Sequence, residues 1–349
     1  MSVNTIHILS PKTSQAQAIA AFIHRYFPEV SIVGVVFEDE STSLPRGVYS
    51  DFALLSHLEV GRADSVLIPT GSRSTKYFLE KGDVTVGAVT LTQPALRVYD
   101  KPWMIARSAE IGIPTPATWQ QLRDVTGYPV FYKQRYEQGG GPRGIAQAES
   151  DIPTHGRDQL IFQEVIESPG TYGVAFLAES GRLTVKQTHF ESESVPRAGG
   201  SAVIIERYEH HLLLEYTRWL IDLLGYSGWG LVEFKRDPDR DDFFFMEINA
   251  KFWASCEFSF VNEPLFLKLL FGIDSQEKSV NRMFFIDRAS DRGVFFVLSH
   301  LGHLANGSAL RAYPGWQRQI AVAATPSVLR PLCSKLLTRT RKVWRRVTS

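Results

Sequence analysis

The first hundred residues alternate between short apolar runs and stretches whose apolar positions fall three and four apart. Ile6–Leu9 is an apolar run of buried-strand type, and Ile32–Phe37, rich in β-branched residues, is a second. Between them Ala16, Ile19, Ala20 and Ile23 recur at helical spacing. Ser10-Pro11 reads as a cap followed by proline at the first helical position. Val66–Ile68 and Val84–Val89 read as further strands. Strands alternating with helices predict a parallel sheet with right-handed crossovers, an α/β unit.

The rhythm then changes. Gln93–Ile111 reads as one helix, ended by Gly112 and the IPTP segment, where a second domain begins. Tyr128–Lys133 and Leu160–Ile166 are strand-like, and Tyr172–Ala178 and Leu183–Thr188 flank a turn at Glu179–Gly181 in the pattern of an antiparallel hairpin. Tyr208–Leu224 predicts an amphipathic helix. Trp229–Lys235 and Phe243–Ile248 are strands joined by the polar turn RDPDRDD. This half therefore reads as α+β. No internal repeat or low-complexity segment interrupts it.

Composition narrows the class. The 349 residues are 44% hydrophobic and 21% charged, enough for a large core spread over more than one domain, which argues against disorder. Only Cys256 and Cys333 are present, without disulfide-framework or zinc-ligand spacing, so a reducing cytosol is expected. The start, MSVNTIHILSPK, has no positive head with an apolar stretch, and no apolar run reaches the roughly 20 residues of a membrane span. A cytoplasmic protein is expected. After Asp291 there are ten Lys or Arg and no acid; with the whole chain at +1, the preceding residues carry −9. A basic tail on an acidic body predicts an anionic contact for the tail.

Candidate chemistry lies in three places. The first strand-to-helix turn, LSPKTS, lacks G-x-G-x-x-G, so a dinucleotide site there is not expected and the N-terminal unit reads as a scaffold supplying loop contacts. In GYPVFYKQRYEQGGGPRG a strand delivers Lys133, then Gly139, Gly140 and Gly141 expose backbone N–H groups that can fold over phosphates while the lysine offsets their charge. In LVEFKRDPDRDDFFFMEINAKFW, Glu233 and Glu247 lie on adjacent strands, and Glu247 and Asn249 point to one face. Carboxylates amid so many apolar residues need compensation, and hard oxygen ligands converging on a point suit Mg²⁺ held jointly with phosphates. In IFQEVIESPGTYGVAFL, the strand end Gln163-Glu164-Val165-Ile166 could read an adenine edge through its backbone.

Taken in this order, the three elements resemble the ATP-grasp superfamily over roughly residues 1–275, and especially its carboxylate–amine ligase branch, with biotin carboxylase, carbamoyl-phosphate synthase and D-alanine–D-alanine ligase. The resemblance implies a Rossmann-like pre-ATP-grasp domain at 1–99 and a two-subdomain ATP-grasp domain at 100–275, with a glycine loop at 137–144, a hinge at 163–166 and a metal hairpin at 229–253. It implies that Lys101, after Asp100 and before GIPTPAT, contacts phosphate, as does Lys133, and that Gln163, Glu164, Val165 and Ile166 hold adenine. Glu233, Glu247 and Asn249 match the metal set, so ATP and Mg²⁺, or Mn²⁺ in its place, are the implied cofactors. The implied activity is an ADP-forming ligation of a small carboxylate and an amine through an acyl phosphate. Lys186, Arg197 and Lys251 are the implied catalytic contacts, and segment 186–203 is a substrate loop with His189 in the loop or at the surface.

Three departures qualify the resemblance. Glu247-Ile248-Asn249-Ala250-Lys251 replaces the usual Glu-Ile-Asn-Pro-Arg, so Lys251 keeps the charge but loses the bidentate fork. Gly170-Thr171-Tyr172 stands where an acid often binds ribose, leaving Glu167 as the substitute. Asp237, Asp239, Asp241 and Asp242 read as a solvated turn rather than a second metal site. Two other readings stay open on the same fold: an ATP-binding regulatory or scaffold protein without catalysis, and a phosphotransferase. The extension 276–349 carries a basic amphipathic stripe at 327–347, fit for an anionic membrane face at the inner leaflet or for docking onto the acidic body. Nucleic acid is not expected, and a homodimer is left open.

Overall fold

The computed structural model describes residues 4–40, 48–58, 65–137, 141–196, 199–275, 279–290, 296–297, 300 and 309–311. The amphipathic stripe expected at 327–347 lies outside them.

β1 (Thr5–Leu9), β2 (Ser31–Val36), β3 (Asp51–Leu54) and β4 (Ser65–Pro69) form a parallel sheet of order β3-β2-β1-β4. The helix after β1, α1 (Ser14–Tyr26), buries Ala16, Ile19, Ala20 and Ile23. It begins at Ser14 rather than at Ser10-Pro11. The Ser10 N–H still donates to Val35 O at 3.0 Å, one rung beyond the strand, and Ser10 turns there at φ 52°. Thr13 then caps the helix by accepting Ala16 N. α2 (Ser72–Leu79) follows β4. The run 84–89, expected as one strand, is instead a hairpin of β5 (Val84–Val86) and β6 (Val89–Leu91). It folds about Gly87 at φ 60°, where a Cβ would sit 2.3 Å from Leu270 O.

The single helix expected at 93–111 is broken. A 3₁₀ turn spans Gln93–Tyr99, and α3 (Lys101–Glu110) starts anew because Asp100 caps it, accepting from Trp103 N at 3.3 Å. This break makes Lys101 the first residue of α3. Next come β7 (Thr118–Trp119), β8 (Val130–Gln134), β9 (Arg143–Ala146) and β10 (Leu160–Glu164), an antiparallel sheet of order β7-β10-β8-β9.

The rest is built on a larger sheet. It contains β11 (Thr171–Glu179), β12 (Arg182–Val195), β13 (Ser201–Arg207), β14 (Gly228–Asp237), β15 (Asp242–Asn249), β16 (Arg282–Phe285) and β17 (Ala309–Arg311), in the order β15-β14-β11-β12-β13-β16-β17. α4 (His211–Leu224), α5 (Cys256–Asn262), α6 (Leu265–Phe271) and α7 (Ile286–Ser290) complete it. Segment 186–203, expected as a loop, is mostly strand. Val185, Gln187, His189 and Glu191 alternate on the buried face of β12, and His189 is wholly buried, not a surface histidine.

One contiguous core runs from Ile6 and Ile19 to Phe176, Trp229 and Phe266, so the parallel sheet and the large sheet share apolar burial. Phe22 of α1 meets Phe260 of α5 edge-on at 5.5 Å, and Tyr99 donates to Ala250 O at 2.9 Å. Glu257, buried on α5, accepts from Arg25 of α1 and Arg311 of β17, which pins three distant segments together. Among the described residues, no helix is long and apolar enough to cross a membrane.

Candidate functional site

The site is organised by cross-strand register. Glu247 of β15 pairs with Glu233 of β14, Glu233 with Gly173 of β11, and Gly173 with His189 of β12. Paired residues share a face, so the two acids and the histidine project to one side of the sheet. Gly173 has no side chain because none fits: a Cβ there would lie 2.2 Å from His189 Nε2. Just past the acid pair the register slips, Phe234 facing Phe245 rather than Met246. Such a bulge turns a residue out of the ladder. The Met246 carbonyl accepts from Lys133 Nζ at 3.2 Å.

Two lysines from different elements reach the same carboxylate. Lys133, on β8, lies 3.3 Å from Glu247 Oε2, and Lys101, at the start of α3, lies 3.6 Å from it. Asn249 Nδ2 donates to Glu247 Oε1 at 3.4 Å. Burial works to raise the Glu247 carboxyl, but Lys101 and Lys133 outweigh it and hold it below the usual carboxylate range. Glu233 has no such neighbour within ion-pair distance among the described residues. Burial, then Glu247 and Glu191, push its carboxyl up to about 8. The two lysines also diverge. Burial depresses Lys133, whereas Glu247 and Glu137 overcome burial and raise Lys101.

Glu137 is a functional candidate that the sequence reasoning missed. It accepts from Lys101 Nζ at 2.6 Å and from Lys251 Nζ at 2.7 Å. Ser72, at the start of α2, donates to it at 3.0 Å and accepts from Lys251 at 2.9 Å. Burial opposes its ionisation, but Lys251 and Lys101 hold it far below the usual range. The available signal was its position: an acid two residues before the glycine run.

A cavity of about 370 Å³ lies on one side of the acid pair. Phe131, Ile145, Val165, Ile166 and Met246 give it an apolar wall, while Lys101, Lys133 and Lys235 supply positive charge. Lys235 was not singled out in the sequence; burial depresses it, and its Nζ donates to Gly170 O and Thr171 Oγ1, both at 2.9 Å. Glu164, Val165 and Ile166 line this cavity as expected of a hinge, but Gln163 does not. Its side chain is fully buried within β10 and donates to Thr118 Oγ1 at 3.1 Å. Gly141 lines the cavity at φ 112°, a conformation that favours glycine; Gly139 and Gly140 lie outside the described residues, as does Arg197.

A second cavity, of about 450 Å³, is lined by the same acids and shares Glu137, Arg143, Thr171 and Gly199 with the first. Its walls come from the N-terminal unit (Ser10, Thr13, Gly71, Ser72) and from Glu191, Asn249, Lys251 and Ser255. Lys186 reaches neither. It is exposed on the face of β12 opposite to Glu191 and lines a separate depression with Arg207 and His211, so the expectation of a Lys186 contact is corrected by strand parity.

Two carboxylates and an amide oxygen, with a deficit of compensating charge at Glu233, fit a hard divalent cation shared with phosphates. An apolar slot with three lysines at its inner end fits a purine nucleotide.

No protein-family model matches the sequence, and no curated protein matches it. Solved structures do. Pyruvate carboxylase from Rhizobium etli, solved with acetyl coenzyme-A, aligns with a TM-score of 0.55 at 16% identity over 75% of this chain, which spans only 27% of that protein's length. A protein from Archaeoglobus fulgidus described as a putative ATP-grasp superfamily protein aligns with a TM-score of 0.53 at 16% identity, covering 80% of this chain and 90% of that one. Biotin carboxylase from Campylobacter jejuni, in its β,γ-ATP complex, gives 0.51 at 15% identity over 79% of this chain and 73% of that one. Likeness at these identities is likeness of fold, and the chain has the ATP-grasp fold.

Proposed function

We propose that the protein is an ATP-dependent, ADP-forming ligase that activates a carboxylate as an acyl phosphate and joins it to an amine. The observation that carries this reading is the acid pair Glu233 and Glu247, set between a lysine-lined apolar cavity and a polar one, with Lys101 and Lys133 on Glu247. Glu233, Glu247 and Asn249 would hold Mg²⁺, or Mn²⁺, which when bound offsets the charge of the phosphates. Lys101, Lys133 and the amides around Gly141 would take the rest of that charge, leaving positioning as the main contribution of the chain.

In the first step a carboxylate oxygen attacks the γ-phosphorus and the bond to the bridging oxygen breaks, giving ADP. In the second the amine nitrogen attacks the acyl carbon, the carbon–oxygen bond breaks, and phosphate and a proton leave. Lys251 faces the second cavity and is the candidate for holding the acyl phosphate once the nucleotide has displaced its Glu137 partner. Arg197, two residues before cavity-lining Gly199, is the other candidate.

A hydroxamate screen tests the proposal. Protein, Mg-ATP, hydroxylamine and pools of carboxylic acids are combined, with Glu247→Gln as the control. Hydroxamate and ADP formed with one acid and lost in the control are the expected result. Intact ATP binding with no hydroxamate across the pools overturns the ligase reading in favour of an ATP-binding protein without this turnover.

A further inference from the structure

Glu191 has no part in the chemistry described so far, and its surroundings are unusual. It sits on the buried face of β12, only 8% exposed, yet it lines the 450 Å³ cavity together with Glu233, Glu247, Asn249 and Lys251. Its strand partner is Thr171, on the same sheet face as the acid pair. Its closest partners are a neutral hydroxyl, Ser255 Oγ at 3.4 Å, and His189 Nε2 at 3.6 Å, beyond hydrogen-bond distance.

Of the cations that line this cavity, Arg143 is exposed and beyond ion-pair distance of Glu191, and the others are committed elsewhere. Lys251 is held by Glu137 and Ser72, and Arg73 by Asp39 at 2.7 Å and Glu40 at 3.6 Å. Lys235 donates to Gly170 O and Thr171 Oγ1. Among the described residues, no Lys or Arg lies within ion-pair distance of Glu191. A buried carboxylate left this way is costly unless a cation arrives with the ligand. The opposite wall carries a second unmatched group: the Ser10 side-chain oxygen is buried and without a partner, in a residue 6% exposed. Both mark this cavity as built for a polar occupant that the chain alone does not supply.

We infer that Glu191 is the docking residue for the amine substrate, which enters this cavity as an ammonium ion and pairs with the carboxylate. The inference rests on the ligase reading. Glu191 takes the ammonium from the side away from the nucleotide, close to the carboxylate-activating centre marked by Glu247. The amine must then give up a proton before it attacks. The alternative occupant is a second divalent cation.

The test compares wild type with Glu191→Gln in hydroxamate formation, using as competitors a panel of primary amines from methylamine to the common amino acids, at a pH where they are ammonium ions. Hydroxylamine is mostly uncharged there. The readout is the ratio of the best competitor's inhibition constant to the KM for hydroxylamine. At least a tenfold rise of that ratio in Glu191→Gln is expected. An unchanged ratio, or no competition by any amine in the wild type, overturns the inference while leaving the ligase reading intact. A raised Mg²⁺ requirement with no change in the ratio overturns it in favour of a metal role. Absence of hydroxamate in the wild type would instead strike the ligase reading. Calorimetric titration of ethylammonium chloride into the Mg-ADP complexes of both proteins needs no turnover: heat in the wild type only is expected, and equal heats overturn the inference.

Discussion

The two cavities that flank Glu233 and Glu247 differ in their balance of charge. The nucleotide-side cavity has an apolar wall and sets Lys101, Lys133, Arg143 and Lys235 against Glu137, Glu164, Glu233 and Glu247, so its charges balance. The other cavity holds Glu191 without a Lys or Arg partner among the described residues, only His189 at 3.6 Å, and Lys251 already neutralised by Glu137, so it has room for a cation. A charge-balanced apolar cavity beside one in which acids outnumber bases is suited to two different occupants. The acid pair between them shows the same asymmetry within itself: Glu247 is held ionised by two lysines while Glu233 is pushed up to about 8.

The most severe way to break this asymmetry is Glu247→Gln. It removes the carboxylate that both lysines address and one of the donors for the divalent cation. A loss of ADP formation of about 10²–10³-fold is expected, from the scale of single preorganised charges in active sites. A variant that keeps more than a tenth of wild-type ADP release would place the reaction elsewhere. Next in size is Glu137→Ala. Breaking a buried pair from one side leaves Lys251 without its carboxylate and Lys101 with Glu247 alone, at a cost of about 3–5 kcal/mol. Chemical denaturation should show a matching loss, and adding Mg-ATP should restore part of it, because the phosphates supply the missing anion. A variant as stable as wild type would show that Glu137 is not the anchor of the two lysines.

Glu233→Gln sharpens the comparison through pH. The folded carboxyl is raised to about 8 from an ordinary 4.5. Stability from the protonated acid is therefore complete below about 4.5 and is lost as pH rises towards 8. Glutamine has no proton to lose. In chelator, the melting temperature of the variant should gain steadily on the wild type between those limits and run parallel above them. A constant difference across the range would mean that Glu233 is already matched by a cation.

Much of this arrangement was legible in the sequence, and the reasons are local. Glu233, Glu247 and Asn249 were found because strand parity and the apolar residues around them are readable from neighbours in the chain. The strands β8, β10, β14 and β15 and the core positions of α1 followed from periodicity alone. What was not legible depends on tertiary contact. Glu137 gains its meaning from Ser72, 65 residues away, and from Lys251, 114 residues away. Ser10 failed as a helix cap because a rung to β2 holds its N–H. Glu191 lay within segment 186–203, read as a loop, yet pairing with β11 turns Glu191 inward. Gln163 was taken as one of four equivalent hinge residues, but it lies within β10 and its side chain is held in the core by Thr118.

The smallest expected effect follows from the same parity argument. Lys186 and Glu191 are five positions apart on β12, an odd number, so they face opposite sides of the sheet. Lys186 is exposed beside Arg207 and His211, and the sheet itself separates it from both cavities. Its charge is therefore screened by solvent as well as distant from the acids. Lys186→Ala should leave ADP formation and the amine-to-hydroxylamine ratio within about twofold of wild type, the range of ordinary surface substitutions at ±0.5 kcal/mol. A larger loss would mean that the strand turns over when substrate binds, and that the two-cavity comparison describes only the unliganded protein.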